Sequence, residues 1–317
     1  MKLLISGSSG YVGYVLSKYF SERGNEVIGL DVAENSAWSG NSNFKFYCCD
    51  VTNKKLLEDI LTKEKPTHVI HCAFLMKPLH DVKKNYEIDV TGSINIFQVA
   101  HATATVKQFI EFSSTSAYGA WPDNKLWIQE TQKLQPRDYR YGIHKKIVEE
   151  YYNTYATRKD FKLVIVRMCT AIGSLYHKKG GVVRLLVKAP LVTKINNRDC
   201  ELQFIHEDDL TALIGLIVND RTIEGTFNLA PDSYATPKSL MPDKLLIPIP
   251  LWFMRGIAAI GWFVRLSSMN ASAITLSAYG IVADPHKLMK RYNYHFKYST
   301  ESGFKDTVEK RIAKGTL

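Results

Sequence analysis

KLLISGSSGYVG, residues 2–13, sets an apolar run (Leu3, Leu4, Ile5) directly before glycines at 7, 10 and 13. YVLSKYFSERG follows and closes on Gly24. That order reads as a buried strand, a tight turn and a helix. The glycines have separate tasks. One lets the chain reverse, one lets backbone N–H groups approach a diphosphate, and one lets helix and strand pack closely. The helix N-terminus then faces the phosphates with its partial positive charge. A glycine triplet by itself signals little more than a turn. Lying between a strand and a helix, it has the context a dinucleotide-binding turn requires.

The same alternation continues along the chain. EVIGLDV is a second strand ending at Asp31, an acidic residue placed to bond the adenosine ribose hydroxyls and repel a 2′-phosphate, which favours NAD over NADP. A loop rich in Ser, Asn and Gly (residues 34–43) leads to a third strand, FKFYCCDV. Its end, Asp50-Val51, can sit beside the adenine, and Asp50 can equally cap the helix over 54–63. THVIHCAF is a fourth strand whose small residues Cys72 and Ala73, followed by Phe74, let a cofactor lie against the backbone. A helix over 86–102 follows. KQFIEFSSTSAYG is a fifth strand running into Ser113, Ser114, Thr115 and Ser116; DYRYGIHKKIVEEYYNTY is a long helix; FKLVIVRM is a sixth strand ending at Met168.

Strands alternating with helices predict an α/β fold, a Rossmann-type doubly wound parallel sheet with chemistry at the strands' C-terminal ends. Residues 1–170 read as an NAD-binding domain that parts of the later chain rejoin. Residues 171–317 read mainly as a smaller C-terminal α/β substrate lobe, with basic residues around Lys178, a strand-like LQFIHEDD and a helix over 210–218.

Composition narrows the class. The 317 residues, 45% hydrophobic and 23% charged, suit a globular protein of one large domain or two lobes. The formal charge of +10 comes with no dense basic run and no stacking platform, so nucleic-acid binding is not expected. Five cysteines form no CxxC pair, and the odd count argues against a disulfide framework and for a reducing cytoplasm. His68 and His71 have no accompanying HExxH or carboxylate cluster, so no metal is expected. The most apolar segment, LLIPIPLWFMRGIAAIGWFVRL, carries Arg255 and Arg265 and is too short after Pro250 to span a bilayer. It is expected to be a buried lid or a subunit contact. An interfacial membrane contact through 251–266 is the other reading, given Trp252, Trp262 and the positive charge.

The chemistry rests on Tyr141 and Lys145, four apart and therefore on one helical face. An ammonium near a phenol favours the phenolate, and an oxidised nicotinamide adds to the effect. Such a phenolate can remove a hydroxyl proton while hydride leaves the same carbon. A hydroxyl from Ser114 can hold the substrate oxygen. Tyr139 is a poor rival, because Ile143 stands four residues beyond it. Candidate cofactor contacts are Gly7, Ser9, Gly10, Tyr11, Val12 and Gly13 in the turn, and Asp31, Asp50 and Val51 after the second and third strands. Cys72, Ala73, Phe74, Ser113, Tyr141, Lys145 and Met168 complete the set.

Glycine loop, acidic strand end, serine-bearing strand end, then tyrosine and lysine, in that order, resemble the extended short-chain dehydrogenase/reductases, the NAD-dependent epimerase/dehydratase family. The resemblance covers nearly the whole chain. DVT at 50–52, HCAF at 71–74, DVTGSINIFQVA at 89–100, SSTSAYG, YGIHK, QFIHEDDL and GTFNLA occupy recognisable places, and DPHKLMKRYNYHFKYST looks like the usual closing helix and turn. Counting back from the Tyr-Gly ending places the family's catalytic Ser/Thr at Ser114. HCAFLMKP, AYGAWPDN and QFIHEDDL look most like the subgroup labelled UDP-glucose 4-epimerase-like. The resemblance also implies a homodimer through the helix of Tyr141 and the one over 86–102.

Departures from the family pattern bear on the substrate. Thr170 stands where members acting on nucleotide sugars commonly have Asn, and Leu202 where they have Arg; the charge-assisted bonds to a sugar diphosphate go with them. Asp89 replaces a usual Asn and is expected to alter a structural bond between helix and loop. Thr115-Ser116 stands where dehydratases carry Asp-Glu, so elimination of water is not expected. The expected function is an NAD-dependent epimerase or oxidoreductase acting on the secondary alcohol of a sugar-nucleotide-type small molecule. A dehydrogenase of a lipid- or steroid-like hydroxy substrate is the alternative, and a non-catalytic NAD-binding regulator ranks below both.

Overall fold

The computed structural model describes residues 1–34, 41–175, 181–267 and 270–317. In chain order, β1 (Lys2–Ser6), α1 (Tyr11–Ser21), β2 (Glu26–Asp31), β3 (Phe44–Cys48), α2 (Lys54–Glu64) and β4 (His68–His71) come first. α3 (Val82–Tyr86), a π-helical turn (Glu87–Thr91), α4 (Gly92–Ala102) and β5 (Gln108–Ser114) follow. A 3-10 turn (Thr115–Tyr118), α5 (Arg140–Tyr155) and β6 (Lys162–Met168) complete this first stretch.

The later chain forms β7 (Thr170–Ile172), α6 (Gly181–Lys188), β8 (Val192–Ile195), β9 (Phe204–His206), α7 (Glu207–Asn219), β10 (Gly225–Leu229) and α8 (Pro237–Leu240). It ends with β11 (Leu246–Ile249), α9 (Leu251–Phe263), α10 (Ala271–Thr275), α11 (His286–Tyr292) and α12 (Thr300–Ala313). These elements divide into two compact units. One comprises Met1–Ser113, His144–Arg167 and Thr211–Phe227; the other Ser114–Ile143, Met168–Leu210 and Asn228–Leu317.

The first unit is built on a seven-stranded parallel sheet ordered β10-β6-β5-β4-β1-β2-β3. Leu4 lies between Ile28 of β2 and Val69 of β4 in register. The strand interiors are buried on both faces, so Leu3, Leu4, Ile5, Val69 and Ile70 form continuous apolar runs rather than an alternation. Successive strands move outward from β1 in opposite directions, through β2 and β3 on one side and β4 and β5 on the other. That reversal makes the β1–β4 boundary the switch point where such sheets bind ligands.

Local chemistry sets the helix ends. α1 stops at Ser21, and Gly24 at φ +76° carries the chain into β2. α2 is capped by Asn53, whose side chain accepts the Leu56 N–H, and not by Asp50, which accepts from the backbone N–H and hydroxyl of Thr52. The helix expected over 86–102 starts earlier, at Val82, because the Asp81 carboxylate caps it by accepting the Lys84 N–H.

In the second unit two short parallel ladders, β7 with β9 and β8 with β11, replace the large sheet. Their cores are small: Ile172, Val183, Phe204 and Phe304 in one, Ile195, Ala258, Ile274 and Ala278 in the other. α9 corrects the reading of this segment as a buried lid. It is not buried: Trp252, Phe253, Ile257, Ile260 and Phe263 are all exposed. Apolar composition alone suggested burial, but among the described residues only one side of the helix meets protein. The basic cluster around Lys178 lies outside the described residues.

Candidate active site

The turn after β1 is shaped by what cannot fit there. Gly7 sits at φ +71°, donates its N–H to the Leu30 carbonyl at 2.8 Å, and would bring a Cβ to 2.7 Å from the Ala73 nitrogen. A Cβ on Gly13 would collide with the Gly7 carbonyl. Gly10 closes the turn by donating to that same carbonyl at 2.9 Å, and α1 begins behind it without a side-chain cap. Tyr11 and Val12 are therefore the first helical residues, at the positive end of the helix dipole.

Asp31 ends β2 beside this turn. One carboxylate oxygen accepts the Ser9 N–H at 3.0 Å and the other the Val32 N–H at 2.8 Å. The Ser9 hydroxyl donates to the Ala33 carbonyl. A backbone cradle that a Cβ would fill, an uncapped helix start and a carboxylate held at the next strand end fit a dinucleotide.

The far wall of this cradle is backbone. Cys72 donates its N–H to the Ser6 carbonyl at 3.1 Å, and Cys72-Ala73 packs directly on Gly7. Burial pushes the Cys72 thiol up, so it stays a protonated, unreactive group. Val51 is buried against Gly92, and its carbonyl accepts from Asn95, while Asp50 is exposed and turned to Thr52. Ser113 is buried, with its hydroxyl bonded to Glu149, which also holds Arg167. Met168, half-buried, ends β6.

α5 carries both Tyr141 and Lys145, one turn apart. Near its start, within the second unit, a Cβ on Gly142 would come within 2.7 Å of the Ser116 carbonyl, so the 3-10 turn packs against the helix beside Tyr141. Ser114 caps that turn, its hydroxyl oxygen accepting the Ser116 N–H at 3.1 Å. The bond uses a lone pair and leaves the hydroxyl proton to donate. The Tyr139 ring lies 5.9 Å from that of Tyr141, and burial pushes the Tyr139 phenol up, which keeps it protonated. Tyr118, which ends the serine segment, is structural: its hydroxyl donates to the buried Asn228, which in turn donates to the Ile128 and Asp284 carbonyls.

Further along α5, in the first unit, the Lys145 ammonium donates to Glu111 Oε1 at 2.9 Å and to the Phe112 carbonyl at 2.5 Å, and lies 3.7 Å from the centre of the Phe74 ring. Burial raises the Glu111 carboxyl and the Lys145 charge opposes that rise. His71 is fully enclosed between the hydroxyls of Ser6 and Ser93, and burial, with Lys145 nearby, holds it well below its usual value.

Asp89 ties the turn before α4 to the loop after β4. It accepts the Leu75 N–H at 2.9 Å, and also bonds Asn85 and the Nδ1 of His144. Sequence reasoning missed Glu111 and His144. The one available signal for Glu111 was a lone acid inside the apolar strand QFIEFSS.

Thr170 and Leu202, the two departures from the family pattern, have different surroundings. Thr170 opens β7 in register with Phe204 and is exposed. Leu202 packs against the apolar cluster of Phe204 and Phe304. Gln203 turns inward, donating to the carbonyls of Pro231 and Ala283 and accepting the Ala283 N–H.

Known proteins share this architecture. The chain is 22% identical to an uncharacterized protein of Mycobacterium bovis over 96% of its own length and 82% of that protein's. It is 27% identical to a UDP-glucose 4-epimerase of Erwinia amylovora over 57% of this chain and 56% of that one. The crystal structure of the Bordetella bronchiseptica enzyme WbmG in complex with NAD superposes with a TM-score of 0.80 at 19% identity, covering 100% of this chain and 96% of that one. Residues 3–230 match the NAD dependent epimerase/dehydratase family, so the chain belongs to that family and is an NAD-dependent enzyme of the extended short-chain dehydrogenase/reductase type.

Proposed function

We propose that this protein oxidises a secondary alcohol of a small molecule through Ser114, Tyr141 and Lys145, and returns the hydride with inversion as an epimerase. The observation that carries this reading is the start of α5: Tyr141 and Lys145 one turn apart, with Gly142 packed on the carbonyl of the turn that Ser114 caps. Bound NAD supplies the hydride acceptor. Gly7, Gly10 and Gly13 leave room for its diphosphate, and Asp31 is the acceptor for its ribose hydroxyls. Ser114 donates to the substrate oxygen and fixes its orientation. Tyr141, as phenolate, takes the hydroxyl proton and later gives it back. The Lys145 ammonium stabilises that anion electrostatically. In this reading the first unit binds the dinucleotide and the second the substrate.

A UDP-sugar is the first substrate to test, because the Erwinia relative is a UDP-glucose 4-epimerase. A more apolar hydroxy substrate is the second reading, favoured by Leu202, which is partly buried against an apolar cluster and stands where the family resemblance implies Arg. Incubating the protein with UDP-sugars, sterols and hydroxyacyl compounds, with NADH absorbance and product stereochemistry as readouts, tests both. NAD held through turnover with an inverted product supports epimerisation; NADH released with a ketone product makes the protein a dehydrogenase. No reaction with any secondary alcohol overturns the proposal.

A further inference from the structure

The outer side of α9 is apolar across its full width. Trp252, Phe253, Ile257, Ile260 and Phe263 face solvent, and Val264 and Leu266 extend the surface past the helix end, with Phe263 85% and Leu266 88% exposed. Gly256 and Ala259, also exposed, complete the same half of the helical circumference. The inner side is apolar too: Leu251, Met254 and Ala258 pack on Ile195, Ile274 and Ala278. A helix that keeps a protein core on one side and water on the other is normally polar outside. This one has two apolar sides, and among the described residues only one has a partner.

Charge bears on what the second side can meet. From Lys244 to Ala283 the chain contains Lys244, Arg255 and Arg265 and no acidic residue. Arg255 is neutralised by Asp138 at 2.6 Å, whereas Arg265 is exposed at the C-terminal end of the apolar face. The whole chain carries a formal +10. Two copies meeting through this face would bring like charges together. An anionic surface would not. Trp252 at one end and Phe263 at the other place aromatic rings at both ends of the stripe, suited to a headgroup boundary. Among the described residues no helix is long and apolar enough to cross a membrane.

We propose that the outer face of α9, with the turn through Leu266, lies in the plane of an anionic phospholipid surface and holds the protein there without crossing it. The inference does not depend on the substrate. Its test is flotation of the full chain with vesicles of phosphatidylcholine plus phosphatidylglycerol, and of phosphatidylcholine alone. The protein is expected to float with the anionic vesicles and to bind the neutral ones roughly tenfold more weakly. Ile260→Glu and Phe263→Glu should each abolish flotation while leaving thermal unfolding and NAD binding unchanged; Phe263→Ser is the milder second variant. Ile312→Glu, at an exposed apolar site on α12, should float as the native protein does. In the native protein, tryptophan emission should shift to the blue on adding anionic vesicles. Failure to float with either vesicle, binding indifferent to lipid charge, or an Ile260→Glu variant that floats normally would overturn the proposal. So would concentration-dependent self-association, abolished by Ile260→Glu, in protein that ignores vesicles.

Discussion

Lys145 and Glu111 form an ion pair, Nζ to Oε1 at 2.9 Å, with the lysine 1% and the glutamate 0% exposed. The lysine proposed to serve the catalytic tyrosine is thus held by a carboxylate in the strand that also carries Ser114. Removing one partner strands the other charge in a low-dielectric interior, which typically costs about 3–5 kcal/mol. Lys145→Met should therefore lower the free energy of unfolding, read by denaturant titration, by that order. Lys145→Met combined with Glu111→Leu should recover most of the stability and none of the activity. A double variant no more stable than the single one would show that the pair is not the source of the loss.

Tyr141→Phe removes the proposed proton acceptor and little else. The rate of alcohol oxidation should fall by about 10²–10⁴-fold with NAD affinity retained. Tyr139→Phe should leave the rate within about twofold, since burial keeps that phenol protonated. Stopped-flow NADH formation for the two variants checks both. A Tyr141→Phe enzyme of native rate would remove the phenolate from the mechanism.

Asp31 accepts two backbone N–H groups and is proposed to accept from the ribose as well. Asp31→Ala should narrow the preference for NAD over NADP by about tenfold, corresponding to ~1.4 kcal/mol. It should also loosen the glycine turn by leaving Ser9 N–H without its acceptor. Titration of each cofactor by protein fluorescence reads the ratio, and an unchanged ratio would count against the ribose contact.

His68 and His71 make stability depend on pH. Burial, with the N-terminal charge and Arg221 adding to it, lowers His68 from 6.5 to about 4, and burial with Lys145 holds His71 well below its ordinary value. Both groups bind protons more readily in the unfolded chain. Their contribution is complete above the unfolded value of 6.5 and is lost as pH falls from there toward the folded value, about 4 for His68. The melting temperature should therefore drop between about pH 6.5 and pH 4, and His71→Gln should flatten that slope. A His71→Gln profile parallel to the native one would assign the slope elsewhere.

Local rules made the first unit legible. The strand, glycine turn and helix of residues 2–24 are specified by neighbours a few positions apart, and the family, the parallel sheet and the acidic end of β2 follow from patterns of that kind. What stayed hidden depends on distance along the chain. Glu111 and Lys145 are brought together by a strand and a helix 34 positions apart, and Asp89 meets His144 across 55. Nothing in either residue's own surroundings names its partner.

The α9 segment shows the same limit in another form. Its residues determined that it would be a short apolar helix, because propensity and hydrophobicity are local properties. Which side of that helix would be covered was decided by the packing of β8 and α10 beneath it, and that packing left the other side facing outward. Burial is a property of the assembled chain, since it counts what arrives from elsewhere, and no stretch of sequence carries that information alone.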